Sequence, residues 1–289
     1  ALQNGLGAAL AGAFHLDPRL GLAVGSIPMV GGHGTAGAFG PVLEEAGVAG
    51  ANAVAIASAT FGLVAGCVIG GPLAYRRIHS LNLKSTETAT GSDEITVDKN
   101  EVTGAIDSRR FLDSALYLAI AIGAGTIVSL FLNKLMTFPS YIGAMVVAAI
   151  IRNVVDATHK DMPMEEISTI GSFSLSLFLG LAMMGLKLWQ LAELALPMIV
   201  MLAAQTVLMA IFAYFVVFNL LGKNYDAAVM TSGFCGFGMG ATPNAMANMQ
   251  AITSKYGPAP TAYFVVPLVG SLFIDFFNAL IITTFMNFL

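Results

Sequence analysis

Apolar runs of about twenty residues recur along the chain, and each can cross a bilayer core of about 30 Å as a helix. Six segments qualify, roughly 51–75, 111–135, 138–155, 169–189, 196–221 and 260–288. Inside hydrocarbon every backbone polar group must be satisfied within the protein, which leaves helices or closed barrels. Runs this long, without alternation, are helical. Charged residues make up only 10% of the chain, against about 25% in a soluble domain. The fold expected is therefore an all-α, multi-pass membrane protein in contact with the lipid bilayer. Segment 138–155 carries Arg152 and Asn153, whose side chains must snorkel to the far interface.

Residues 76–110 form the one long polar stretch and read as a linker dividing the chain. Arg76, Arg77, Lys84, Lys99, Arg109 and Arg110 lie in or beside it, so the linker is placed in the cytoplasm. Alternating outward through six spans puts ten of the thirteen Lys and Arg residues on that side, which supports the count. The expected organisation is the end of a first repeat over 1–75, the linker over 76–110, and a second repeat over 111–289 with four spans, a hairpin and a last span.

Two stretches, about 17–46 and 225–255, fit none of the spans. In the first, Asp17 is an N-cap and Pro18 the first helical residue. A piece over Pro18–Ile27 reaches about 15 Å, roughly half-way through the core. Pro28 is expected to end it, and Thr35 to cap a returning piece that reaches Glu44 and Glu45. In the second, Asp226 opens a piece running to about Phe234, "CGFGMGATPN" follows, and Thr242 caps a return starting at Pro243. The same plan thus occurs twice, about 209 residues apart, with five spans between the copies. An odd number of spans brings the copies in from opposite faces. This is the signature of an inverted-repeat secondary transporter with two re-entrant hairpins.

Non-helical backbone at membrane depth survives only where protein or a watery cavity satisfies it. Carbonyl ends of the first pieces suit a cation such as sodium, and amide ends of the second pieces suit a carboxylate. The alternative is that the glycines only allow close helix packing. That packing reading is preferred for Gly66, Gly70 and Gly71, and the site reading for the tips. His33 can bind substrate, carry a proton or bond its own tip. Asp275 lies mid-span, with Ser271 four residues before and Asn278 three after on one face. Sodium, a substrate ammonium or a proton would answer its charge, or a protonated acid would bond a neighbouring helix. Gly236, at the carbonyl end of its piece, joins Asp275 and Asn278 as a sodium candidate. Ser168, Ser172 and Ser176 form a stripe expected to face into the bundle, as site or as packing glue. Asn244 and Asn248 stack one turn apart and are candidates to face the cavity, and Thr60 reads as a packing residue.

The stretches "GGHGTAGAFG", "ATFGLVAGCVIGGPLA", "SLSLFLGLAMMGLKLWQLAELALPM" and "KNYDAAVMTSGFCGFGMGATPNAMANMQAIT" resemble the bacterial sodium/glutamate symporters, from about Gln3 to the C-terminus outside the linker. The resemblance implies two inverted halves of five helices, each with a re-entrant loop before its last helix. It also implies sodium as coupling ion, L-glutamate as substrate, the bacterial inner membrane as location, and a homodimer. Against that pattern the first four helices are expected upstream of Ala1, where "ALQNGLGAALAGAF" reads as the tail of a helix already in progress rather than a signal peptide. Carried over, the tips correspond to Gly31, Gly32, His33, Gly34 and Thr35, and to Gly236, Gly238, Gly240, Ala241, Thr242 and Pro243.

The function expected is sodium-coupled glutamate uptake by alternating access. Proton coupling, another dicarboxylate such as aspartate, or an ion channel built on re-entrant loops are the alternatives, with a scaffolding remnant a further one. Net charge is −4 without a basic patch, so nucleic acid is not expected. Two cysteines in apolar surroundings give neither a disulfide framework nor a metal site. The sequence offers no Ser–His–Asp set and no Walker loop, so the chain does not read as an enzyme.

Overall fold

A computed structural model describes residues 1–85, 108–134, 141–158, 161–184 and 192–289, with Leu179, Ala182, Met183, Ser271 and Leu272 by backbone alone. Most of the expected linker, residues 86–107, and the end of the expected span 169–189 lie outside the described residues. All regular structure among the described residues is helical. Among the described residues, three helices are long and apolar enough to cross a membrane: Ala51–Ser80, Ser108–Leu132 and Ala195–Leu220.

The chain divides into two compact units, residues 92–186 and the remainder. The smaller contains α4 (Ser108–Leu132), α5 (Tyr141–Ala157) and α6 (Met164–Met184). The backbones of α4 and α5 touch where Gly125 meets Gly143, and the Ser129 hydroxyl accepts from the Gly143 amide at 3.1 Å. Small residues at the crossing allow this approach. Arg110 binds Asp161 and Glu166 at 2.7 and 2.9 Å. The 17 residues of α5 rise only about 26 Å. Ser168, Ser172 and Ser176 are exposed on α6, contrary to the inward-facing stripe expected. The hydroxyl of Ser176 instead donates to the Ser172 carbonyl of its own helix.

The larger unit holds α1 (Leu2–Ala13), a 3-10 helix (Pro18–Val24), α2 (Ser26–Glu45) and α3 (Ala51–Ser80) from the first part of the chain. From the second part it takes α7 (Ala195–Leu220), α8 (Tyr225–Gly238), α9 (Thr242–Tyr256), α10 (Pro260–Val269) and α11 (Asp275–Phe288). A π turn, Gly270–Ile274, links α10 to α11, so the expected span 260–288 is one helical run with a local widening. Another, Ala213–Val217, interrupts α7. A π turn breaks the regular ladder, and here the Tyr214 carbonyl is met from outside by Arg77, whose guanidinium also lies 3.6 Å from the centre of the Tyr214 ring. Arg77 belongs to the last turn of α3, which continues past the expected boundary at residue 75.

Both α2 and α8 rest on α3, along a stripe of Gly62, Gly66 and Gly70. A Cβ on Gly66 would lie 3.0 Å from the Cys235 carbonyl oxygen, and one on Gly70 would meet Asn248. The packing reading holds for Gly66 and Gly70, whereas Gly71 faces open space. An apolar core, including Ile78, Phe218, Val229 and Met249, binds the end of α3 to α7, α8 and α9.

Candidate functional site

Two interruptions in the helices make the candidate site. Asp17 caps the 3-10 helix by accepting from the Arg19 amide at 2.9 Å, as the sequence indicated. Arg19 in turn holds Asp17 at 2.6 Å and donates to the Ala46 carbonyl at 3.2 Å. The guanidinium beside it keeps the Asp17 carboxyl below the usual carboxylate range. These bonds join the start of the stretch 17–46 to its end, so the chain goes out and returns.

Pro28 does not end the outgoing piece. It sits in the first turn of α2, where no amide is needed. The break falls at Gly32, with φ 60° and ψ −154°, a backbone conformation essentially confined to glycine. Thr35 is not a cap either; it lies within the returning turn, packed on Gly31.

The second interruption is built differently in detail. Asn224, not Asp226, caps α8, accepting from the Ala227 amide at 2.8 Å. The helix continues past Phe234 to Gly238, and Met239, Gly240 and Ala241 form the break. Ala241 occupies the N-cap of α9 in extended conformation, so Thr242 and Pro243 are its first two residues, one position earlier than expected. The base of this hairpin is also tied, by the Tyr225 hydroxyl donating to the Gly257 carbonyl at 2.6 Å.

The two breaks meet. A Cβ built on Gly32 would stand 3.1 Å from the Gly240 carbonyl oxygen and 3.9 Å from the Ala241 side chain. Gly32, Gly238 and Gly240 are buried, whereas Gly31, His33, Thr35, Ala241 and Thr242 are half-buried and Gly34 and Pro243 exposed. The first four amides of a helix have no partner within it. At the start of α9, the Thr242 and Asn244 amides are therefore available beside the tip, Pro243 having none.

His33 Nε2 lies 3.0 Å from the Thr60 hydroxyl, which donates onward to the Ile56 carbonyl at 3.2 Å. The hydroxyl of Thr60 can donate or accept, so this contact fixes the position of the ring, and its direction follows the His33 tautomer. Thr60, expected only to pack, thus orients the imidazole. The asparagines of α9 do not share one open face. Asn244 donates to the Leu63 carbonyl at 2.8 Å, and Asn248 to the Gly66 and Ser232 carbonyls at 3.0 and 3.1 Å. Both fasten the returning piece to α3, Asn248 being buried.

The three sodium candidates stand apart in character. Asn278 is buried and donates to the Ser26 carbonyl at 3.1 Å, at the start of α2. Gly236 is buried in α8 against the backbone of Asn244. Asp275, by contrast, is exposed at the first residue of α11. Sequence reasoning missed the partners that support the breaks from behind. Gln3 donates to the Gly238 carbonyl at 2.8 Å, and Gln205 donates to the Gln3 carbonyl at 2.7 Å. Asn4 accepts from the Ser26 amide at 2.7 Å. Their signal is polar side chains inside otherwise apolar helices, the pattern already weighed at Asp275.

A family model for the sodium/glutamate symporters matches residues 1–258. The sodium/glutamate symporter of Escherichia coli (strain K12) is 43% identical over 292 residues, covering 99% of this chain and 72% of that protein, and that of Shigella flexneri gives the same figures. The sodium/glutamate symporter of Haemophilus influenzae is 36% identical over 285 residues, covering 96% of this chain and 70% of that protein. No solved structure matches. Likeness of this extent runs through both interrupted helices and their supports, and with it the chain belongs to the sodium/glutamate symporter family.

Proposed function

We propose that this protein couples the inward movement of sodium to uptake of L-glutamate across the bacterial inner membrane, by alternating access. Family membership supports the substrate and the coupling ion. The observation that carries the mechanism is the meeting of two helix breaks, with Gly32 backed against the Gly240 carbonyl. In this reading the stretches 17–46 and 225–257 are re-entrant hairpins of an inverted repeat, entering from opposite faces in a multi-pass protein that works as a homodimer.

Glutamate binds where the returning pieces begin, at Gly31, Gly32, His33, Gly34 and Thr35 on one side and Gly238, Gly240, Ala241, Thr242, Pro243 and Asn244 on the other. Its carboxylates meet the free amides and the positive end of α9, and its ammonium meets carbonyl oxygens at the breaks. Asn244 serves through its backbone amide, its side-chain amide being held by Leu63. Sodium occupies oxygen-rich ground near the outgoing pieces, with Asn278, Gly236 and Asp275 as the residues the sequence nominates. Sodium binding favours the conformation in which the glutamate site is complete, which couples the two fluxes.

The test is radiolabelled glutamate uptake into proteoliposomes of the full-length protein, with and without an inward sodium gradient. Accumulation that requires sodium, and is not replaced by a proton gradient, is expected. Uptake indifferent to sodium would overturn the reading.

A further inference from the structure

We infer that the end of α3, with the adjoining ends of α7 and α9, is a docking surface for the anionic headgroups of membrane phospholipids, held by Arg76, Arg77, Lys84 and Lys255. The 30 residues of α3 rise about 45 Å, against a hydrocarbon core of about 30 Å. Its apolar run closes at Ala74, and Tyr75, Arg76, Arg77, His79 and Ser80 follow before the helix stops. These last turns therefore stand at the depth of the headgroups. Five of the seven tyrosines of the chain, Tyr75, Tyr214, Tyr225, Tyr256 and Tyr263, are tied to this end by ring contacts or hydrogen bonds. Tyrosine is enriched where a helical bundle meets the headgroup layer.

Contacts bring the four cations to this end. Lys255 Nζ, at the close of α9, stands 5.8 Å from the centre of the Tyr75 ring and 5.5 Å from that of Tyr256. His79 joins the same group, its ring 4.2 Å from that of Tyr75 and its Nε2 3.3 Å from the Tyr256 hydroxyl. The guanidinium groups of Arg76 and Arg77 lie 6.0 and 3.6 Å from the centre of the Tyr214 ring in α7. Lys84 precedes Ser85, whose hydroxyl donates at 2.7 Å to the carbonyl of Pro258, three residues beyond Lys255. Arg76, Lys84 and Lys255 are exposed, as is Tyr75 between them.

Aromatic faces, not carboxylates, receive these charges. Ion pairs form at Arg19, Arg110 and Arg152, whereas among the described residues Arg76, Arg77, Lys84 and Lys255 have no carboxylate partner. Asp226, at the base of the second hairpin, accepts instead from the Ala262 amide. A cation over an aromatic face keeps its outer N–H groups for phosphate oxygens. Basic residues placed just outside a spanning helix attract anionic lipids. Headgroups held by Lys255 and by the end of α3 fasten the base of the second hairpin to the helix on which both α2 and α8 rest.

The experiment titrates short-chain phosphatidylglycerol into the purified full-length protein in detergent and reads the rise in Tm. Phosphatidylcholine of the same chain length and inorganic phosphate are the comparisons. Expected is a saturable rise with phosphatidylglycerol that neither comparison produces and that high salt weakens. Combining Arg76→Gln with Lys255→Gln should raise the half-saturating concentration about tenfold or more. Lys134→Gln, at an exposed lysine of the smaller unit, should leave it unchanged. Arg76→Lys with Lys255→Arg keeps both charges and should retain binding, which separates lost charge from structural damage. An equal rise with phosphatidylcholine would overturn the proposal, and so would an equal response to inorganic phosphate, which would mean a site for a free anion. Unchanged half-saturation in the charge-removing variant, an equal loss in Lys134→Gln, or a loss in the charge-preserving variant would each overturn it as well. Binding that emerges only once the acidic residues of 86–107 are replaced by amides would assign this surface to the chain's own carboxylates, and would also overturn it.

Discussion

Replacing Gly32 by alanine probes the junction of the two breaks with one methyl group. At φ 60° and ψ −154° a residue with a Cβ is strained by about 1–3 kcal/mol. The new Cβ would also sit 3.1 Å from the Gly240 carbonyl oxygen, which is backbone of the facing tip and cannot swing aside as a side chain would. If the strain is relieved only by leaving the competent tip geometry, its population falls by about 5- to 150-fold, at 1.4 kcal/mol per factor of ten. Glutamate binding at saturating sodium should weaken by that factor. Gly71→Ala is the control, because a Cβ there meets nothing within 4 Å and the position is helical. It should leave affinity unchanged and Tm equal or slightly higher. Gly32→Ala binding within twofold of wild type would refute the argument, as would Gly71→Ala doing equal damage.

Further substitutions separate the roles of neighbouring groups. Asn248→Ala removes two buried hydrogen bonds, to the Gly66 and Ser232 carbonyls, and should lower stability by about 1–3 kcal/mol, read as a reduced Tm. Thr60→Val removes the hydroxyl that fixes His33; it should weaken glutamate binding several-fold with little change in Tm. Asp275→Asn measures whether that exposed carboxylate takes part in coupling: reduced sodium-driven uptake would place it in the ion pathway, and unchanged uptake would remove it. Asp17 has a depressed pKa because Arg19 binds its ionised form. The stability this pair contributes is fully present above the unfolded value of about 3.9 and is lost as pH falls through the lower folded value. Asp17→Asn should therefore flatten the fall of Tm with pH in that acid range.

The spacing of polar punctuation between apolar runs made much of this arrangement legible. Asp17 and Pro18 announced a helix start, and "GGHGT" and "GFGMGATP" announced two breaks. Positions within the breaks were less legible. Pro28 looks like a terminator in sequence, but proline is tolerated in a first turn, and only the backbone angles single out Gly32. Asp226 and Asn224 are both good caps, and which one serves is decided by where the preceding helix ends. The supports lay further from view. Gln3, Asn4 and Gln205 act on residues up to 235 positions away, and no local period encodes such a pairing. The stripe of Ser168, Ser172 and Ser176 shows the converse: a regular period does not by itself say what a face meets.

Cysteine accessibility decides whether the two helix breaks form one glutamate site. Thr35→Cys and Ala241→Cys are made singly in a full-length protein whose Cys67 and Cys235 are replaced, and labelled with a membrane-impermeant thiol reagent. Both positions should react, and glutamate with sodium should protect both, while neither alone does so fully. Labelling at either position that glutamate and sodium leave unchanged would contradict it.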